Sequence, residues 1–120
     1  MRTVLVTDTA ANDFLAALKY SQNRFGTKAS ERYSSLIVQA FQDLAEDAKR
    51  PGTSSRSDLC NGVYFYHLKH SRKSLAKRSA AVHHPRHFIV FRLPSVNELH
   101  ILRIVHERRK FDQLRFIEEH

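Results

Sequence analysis

The sequence predicts an α+β fold in the order β-α-α-β-β-β, a helical hairpin packed on one face of a small, mainly antiparallel sheet. Three observations predict it. Residues 10–49 carry apolar side chains at helical spacing, interrupted at Gly26. After residue 60 come three apolar, β-branched or aromatic runs divided by turn residues. A short run rich in Val, Leu and Thr opens the chain.

Arg2 to Val6 reads as the opening strand. Thr7, Asp8 and Thr9 supply helix-start chemistry, with the Thr9 hydroxyl able to accept an orphan backbone N–H and Asp13 near the positive end of the helix dipole. From Ala10 to Arg24 the apolar face is Ala11, Phe14, Leu15 and Leu18, continuing to Phe25. Gly26 then closes the helix, being the residue that most cheaply takes a left-handed conformation. Thr27 can cap a second helix over 28–49, whose stripe of Tyr33, Leu36, Ile37, Ala40, Phe41, Leu44 and Ala48 is the strongest periodic signal in the chain. Helices joined by so short a turn pack as an antiparallel hairpin. Arg50-Pro51-Gly52-Thr53-Ser54-Ser55 stops the second helix and opens a loop.

The strands follow. Val63 to Leu68 comes after the turn pair Asn61-Gly62, and His87 to Leu93 is stopped by Pro94. Pro94 to Asn97 is a hairpin loop, and Leu99 to Val105 is the last strand. The stretch 71–86 is polar and basic and reads as a surface loop with room for a helical turn, while residues 112–120 can form a short terminal helix. No repeat or linker divides the chain, so residues 1–120 form one domain. The helices cover one sheet face. The other face also carries apolar residues with no helix assigned to it, and such a face usually meets a partner or the terminal segment.

Composition narrows the partners. The chain holds 20 Lys and Arg against 12 Asp and Glu, a net charge of +8. The excess sits in residues 60–110, where eleven bases face only Glu98 and Glu107. Such a field attracts an anionic partner. Forty-two per cent hydrophobic content excludes a disordered chain, and three Gly and three Pro exclude collagen-like or low-complexity sequence. The single cysteine, Cys60, excludes an internal disulfide and points to a reducing compartment. The longest early apolar run, Val4 to Val6, is too short for a signal core or a membrane span. His83, His84 and His87 lack the cysteine or second paired cluster of a tetrahedral metal site, so no metal or other cofactor is expected. No glycine-rich phosphate loop points to a nucleotide-dependent enzyme.

Alternation places Arg103 between Ile101 and Val105, which makes it either a partner or phosphate contact or an arginine paired with Glu98 or a backbone carbonyl. His106 shares its alternation with Leu102 and Ile104 and reads as a structural, hydrogen-bonded histidine. Arg108, Arg109 and Lys110 form a basic run at a strand end, either solvated or target-binding.

Four segments carry a resemblance that spans residues 1 to about 112. They are Tyr20 to Gly26, Tyr33 to Ala45 with Arg50-Pro51-Gly52, His87 to Arg92, and Ile101 to Arg109. In this order they resemble the RelE/ParE superfamily of type II toxin–antitoxin systems, and the ParE branch in particular. The resemblance implies a cytoplasmic prokaryotic toxin of a plasmid-stabilisation or stress module, held in check by an acidic antitoxin and working as a homodimer or within a toxin–antitoxin heterotetramer. Arg92, Ile101, Arg103 and Val105 are then antitoxin-binding candidates, and Arg103, Arg108, Arg109 and Lys110 target-binding candidates. ParE-like members poison DNA gyrase without catalysing a reaction. RelE-like members cut messenger RNA on the ribosome, and Arg86, Arg103, His106 and Arg108 would serve such an endoribonuclease. That branch carries a basic residue where this chain has Phe88, and often a late Tyr or His; Tyr66 is the last tyrosine here, while His106 remains. A basic accessory protein that binds nucleic acid by charge alone is the reading from a third class.

Overall fold

The computed structural model describes residues 1–75 and 82–111. It runs β1 (Thr3–Val6), α1 (Asp8–Phe25), α2 (Thr27–Glu46), β2 (Thr53–Ser55), β3 (Val63–His67), a 3₁₀ segment (Leu68–Ser74), β4 (His87–Ser95) and β5 (Glu98–His106). The five strands form one sheet in the order β1-β5-β4-β3-β2, with β1 parallel to β5 and the other pairs antiparallel. The expected α+β arrangement is present. It has two additions: β2 forms inside the stretch read as a loop, and the helical turn after β3 is a seven-residue 3₁₀ segment. The expected terminal helix at 112–120 lies outside the described residues, as does part of the basic loop, residues 76–81.

Thr7 caps α1, two residues before the Thr9 expected. Its Oγ1 accepts the Ala10 N–H at 3.1 Å and donates to the Leu102 carbonyl at 3.1 Å, so one side chain starts the helix and ties it to β5. The buried face of α1 also differs from the apolar one in the sequence. Ala10, Ala17 and Ser21 are buried, whereas Leu15 and Phe25 are exposed. The small residues face the sheet, Phe14 and Leu18 pack partly buried against the core, and Leu15, Tyr20 and Phe25 are turned outward. At the start of α2 the cap position belongs to Gly26, at φ +95°, and Thr27 is already helical.

The α2 stripe packs as its period predicts. Leu36, Ile37, Ala40, Leu44 and Ala48 are buried in one cluster with Tyr66, Ile89, Phe91, Leu99 and Ile101 from the sheet. Phe41 is only half-buried and meets Phe14 edge-on, ring centroids 6.2 Å apart. The opposite sheet face is not bare, contrary to expectation. Val63, Phe65, Val90, Leu102 and Val105 are buried there, with Leu59, Cys60, Phe88 and Phe111 packed against them. The Arg56 guanidinium lies over both Phe65 and Phe111, at 5.4 and 5.7 Å. Among the described residues, a loop and the Phe111 ring cover this face.

Two irregularities in the β4–β5 ladder were hidden in the sequence. Val90 pairs with Arg103 and Phe91 with Ile101, so Leu102 is an extra residue in β5 and the alternation breaks there. Ile101 and Val105 consequently fall in clusters on opposite faces. A second shift between Arg92 and Ser95 accommodates Pro94 within the strand, because a bulge asks for no ladder N–H there. The hairpin loop shrinks to Val96-Asn97, with the Asn97 N–H bonded to Ser95 Oγ at 3.2 Å.

Candidate functional site

The sheet register gathers the polar chemistry at one end. His87 opens β4, His106 closes β5, and the ladder sets them opposite each other with rings 5.3 Å apart, edge to face. Tyr33, on the inner stripe of α2, reaches the same point. Its hydroxyl accepts the Arg86 backbone N–H at 2.9 Å and lies 2.6 Å from His87 Nδ1. A backbone N–H can only donate, so the phenol takes that bond and gives its own proton to the imidazole.

Burial pushes the Tyr33 phenol up to about 12. Burial, aided by the nearby His106 and His67, pulls the His87 imidazole down to about 4. Both groups are therefore neutral near pH 7, and His87 keeps its proton on Nε2.

Beside this pair stands a charged group. The Lys69 N–H donates to His67 Nδ1 at 3.1 Å, which leaves His67 Nε2 to donate to Glu107 Oε1 at 2.8 Å. Arg86 Nη1 donates to Glu107 Oε2 at 2.9 Å. The His67 bond first, and then Arg86, hold the Glu107 carboxyl down to about 2.

A cleft of about 690 Å³ opens next to the Tyr33–His87–His106 cluster, between the second half of α1, the first turns of α2, residues 82–87 and the end of β5. Tyr20 and Phe25 form an aromatic wall, and His87, His106, Arg86 and Arg108 a basic one. The Arg108 backbone N–H donates to His106 Nδ1 at 3.1 Å. The Nδ1 atoms of both histidines are thus occupied as acceptors. The cleft offers ring N–H donors and guanidinium groups, and neither histidine presents an unoccupied base through Nδ1.

The expected site residues divide. Arg86, His106 and Arg108 line this cleft. Arg109 and Lys110 are exposed just beyond it. Arg103 is 8% exposed and paired with Asp13 at 2.8 Å, so the partner foreseen in Glu98 is instead an aspartate on α1 and the guanidinium is not a surface contact. Ile101 and Val105, expected at the surface, are core residues on opposite sheet faces, 0% and 3% exposed. Arg92 is half-buried, its Nη2 bonded to Cys60 Sγ at 3.1 Å and to the Asn61 carbonyl at 3.2 Å. Tyr33, His67, His87 and Glu107 are not among the site residues the sequence singled out. A correct strand register would have found the two histidines, since His67 ends β3 where His87 begins β4. Among the described residues, no three of His, Cys, Asp and Glu gather to hold a metal ion, and no helix is long and apolar enough to cross a membrane.

The family model described as the ParE toxin of the type II toxin–antitoxin system parDE matches residues 4–111. The chain belongs to the ParE toxin family. Among solved structures this ParE-family chain is similar to one described as a chromosomal ParDE toxin–antitoxin system from P. aeruginosa, at a TM-score of 0.62 and 21% identity, covering 88% of this chain and 96% of that one. Comparison with curated proteins gives no match. The family match includes every strand and both long helices apart from Thr3 at the start of β1, and therefore every residue that lines the cleft.

Proposed function

We propose that this ParE-family chain is a toxin that arrests growth by binding DNA gyrase and is neutralised by an acidic antitoxin in the prokaryotic cytoplasm. The carrying observation is the family match across residues 4–111. The similar P. aeruginosa structure is itself described as a ParDE system, which supports an antitoxin partner here. Charge supports the same reading: Arg108, Arg109 and Lys110 project as an exposed cationic strip from the end of the sheet. An acidic chain that folds onto this surface gains charge pairing as it orders. Assembly as a homodimer or as a toxin–antitoxin heterotetramer belongs to this proposal.

The alternative, a ribosome-dependent mRNA endoribonuclease, draws support from one observation, the convergence of Arg86, His106 and Arg108 on a single cleft. Two observations weigh against it. Arg103 is bound to Asp13, and His87 is neutral with its Nδ1 engaged by Tyr33. A supercoiling assay with purified gyrase tests the proposal. Inhibition is expected; unaffected supercoiling together with messenger cleavage on ribosomes would favour the alternative.

A further inference from the structure

The cleft joins a basic wall to an aromatic one. Three arginines and four histidines line it, and no aspartate or glutamate does. Its other wall carries Tyr20 and Phe25, which are 58% and 69% exposed although both are large aromatics. An exposed aromatic pair facing a carboxylate-free basic wall matches a ligand with a flat π-face at one end and an anion at the other. The volume, about 690 Å³, lies in the range of small-molecule sites.

The geometry points to a nucleotide-binding site: the base lies against Tyr20 and Phe25, and the phosphate is held by His87, His106 and Arg108. The imidazoles suit that role for a local reason. The Tyr33 hydroxyl on His87 Nδ1, and the Arg108 backbone N–H on His106 Nδ1, direct each ring to offer Nε2–H as its remaining donor. Among the described residues, the Arg108 side chain has no ion-pair partner. A glycine-rich loop is unnecessary when side chains hold the phosphate. A base inside a duplex is stacked on both faces and cannot enter such a wall, so the ligand is a free nucleotide or one residue of a single strand. Since both Nδ1 atoms are engaged, the site binds without cutting. The inference rests on the cleft alone and stands whether or not gyrase is the target.

Fluorescence polarisation with labelled hexauridylate tests it, with uridine 5′-monophosphate, unlabelled hexauridylate and a short DNA duplex as competitors. Both uridine ligands are expected to displace the probe and the duplex to fail. Displacement by hexauridylate alone would identify the strand as the source, and equal displacement per phosphate the free nucleotide. Phe25→Ala and His106→Ala, both at exposed positions, should each weaken binding by about tenfold with the melting temperature unchanged. Lys49→Glu, outside the cleft, should leave binding unchanged. No detectable binding, equal displacement by the duplex, or an equal loss in Lys49→Glu would overturn the proposal in favour of charge attraction alone.

Discussion

Asp13 on α1 grips Arg103 on β5 and the strand beside it at the same time. Its Oδ2 accepts from Arg103 Nε at 2.8 Å and from the Ile104 backbone N–H at 3.0 Å, and its Oδ1 lies 3.3 Å from Arg103 Nη2. β1 pairs with β5 only as far as Ile101. Beyond that point, among the described residues, no strand pairs with this edge of β5; the Thr7 hydroxyl takes the Leu102 carbonyl and the Asp13 carboxylate the Ile104 N–H. Asp13→Ala removes both functions and leaves a guanidinium only 8% exposed without its carboxylate. The expected cost is about 3 kcal/mol, read as a lower urea midpoint. A midpoint equal to wild type would show that the pair is immaterial.

Stability should fall with acid in two separate windows. His87 is depressed from its ordinary 6.5 to about 4, so the unfolded chain binds the extra proton first. Its contribution is complete above pH 6.5 and is lost as the pH drops towards 4, on the order of 3 kcal/mol. His106 and His67 deepen this depression, while Asp13 and Glu107 oppose it. Glu107 is depressed from 4.5 to about 2, so its contribution is complete above pH 4.5 and fades towards 2. Solvent around that carboxylate makes its share the smaller one. Urea titrations at several pH values should show the upper slope flattened in His87→Asn and the lower slope retained.

Gly52 sits at φ +102°, and a β-carbon there would come within 2.5 Å of the His70 ring. Both facts exclude a side chain. Gly52→Ala should destabilise by about 1–3 kcal/mol, visible as an earlier thermal transition. A later transition would mean that the turn after α2 is free to rearrange.

Core truncations on α2 should rank by burial. Leu44 has no exposed surface, and Leu44→Ala should cost about 3 kcal/mol. Phe41, although on the same stripe in the sequence, is half-buried against Phe14, and Phe41→Ala should cost about 1–2 kcal/mol. Paired denaturation curves check the order.

Charge reversal of Arg108 and Arg109 should weaken growth arrest without unfolding the protein, since both side chains are exposed. Induced expression measures the first and thermal denaturation the second. Undiminished arrest by the folded double variant would assign the strip to solvation.

The helices and main strands were legible because each carries its own period, as the Leu36–Ala40–Leu44 stripe shows. The site was only half legible. Arg86, His106 and Arg108 could be named, but their meeting with Tyr33 and His87 depends on ladder register across more than fifty residues, which no local pattern encodes. Arg103 was misplaced for a related reason. The extra residue Leu102 shifts the alternation, and the partner that neutralises Arg103 is ninety positions away on α1. The covered second face depended on Phe111 and the 56–62 loop, whose packing no periodicity announces.

The parallel pairing of β1 with β5 also carries a timetable. Thr3–Val6 finds its partner only at residues 98–101, and the Thr7 hydroxyl reaches a carbonyl 95 positions later. At about 5–20 residues per second, that separation corresponds to about 5–20 s of synthesis during which the first strand lacks its partner. A nascent chain broken off before the last hairpin cannot close its sheet. The end of β5 and the basic strip after it are synthesised late, so a product terminated before residue 108 would lack this surface.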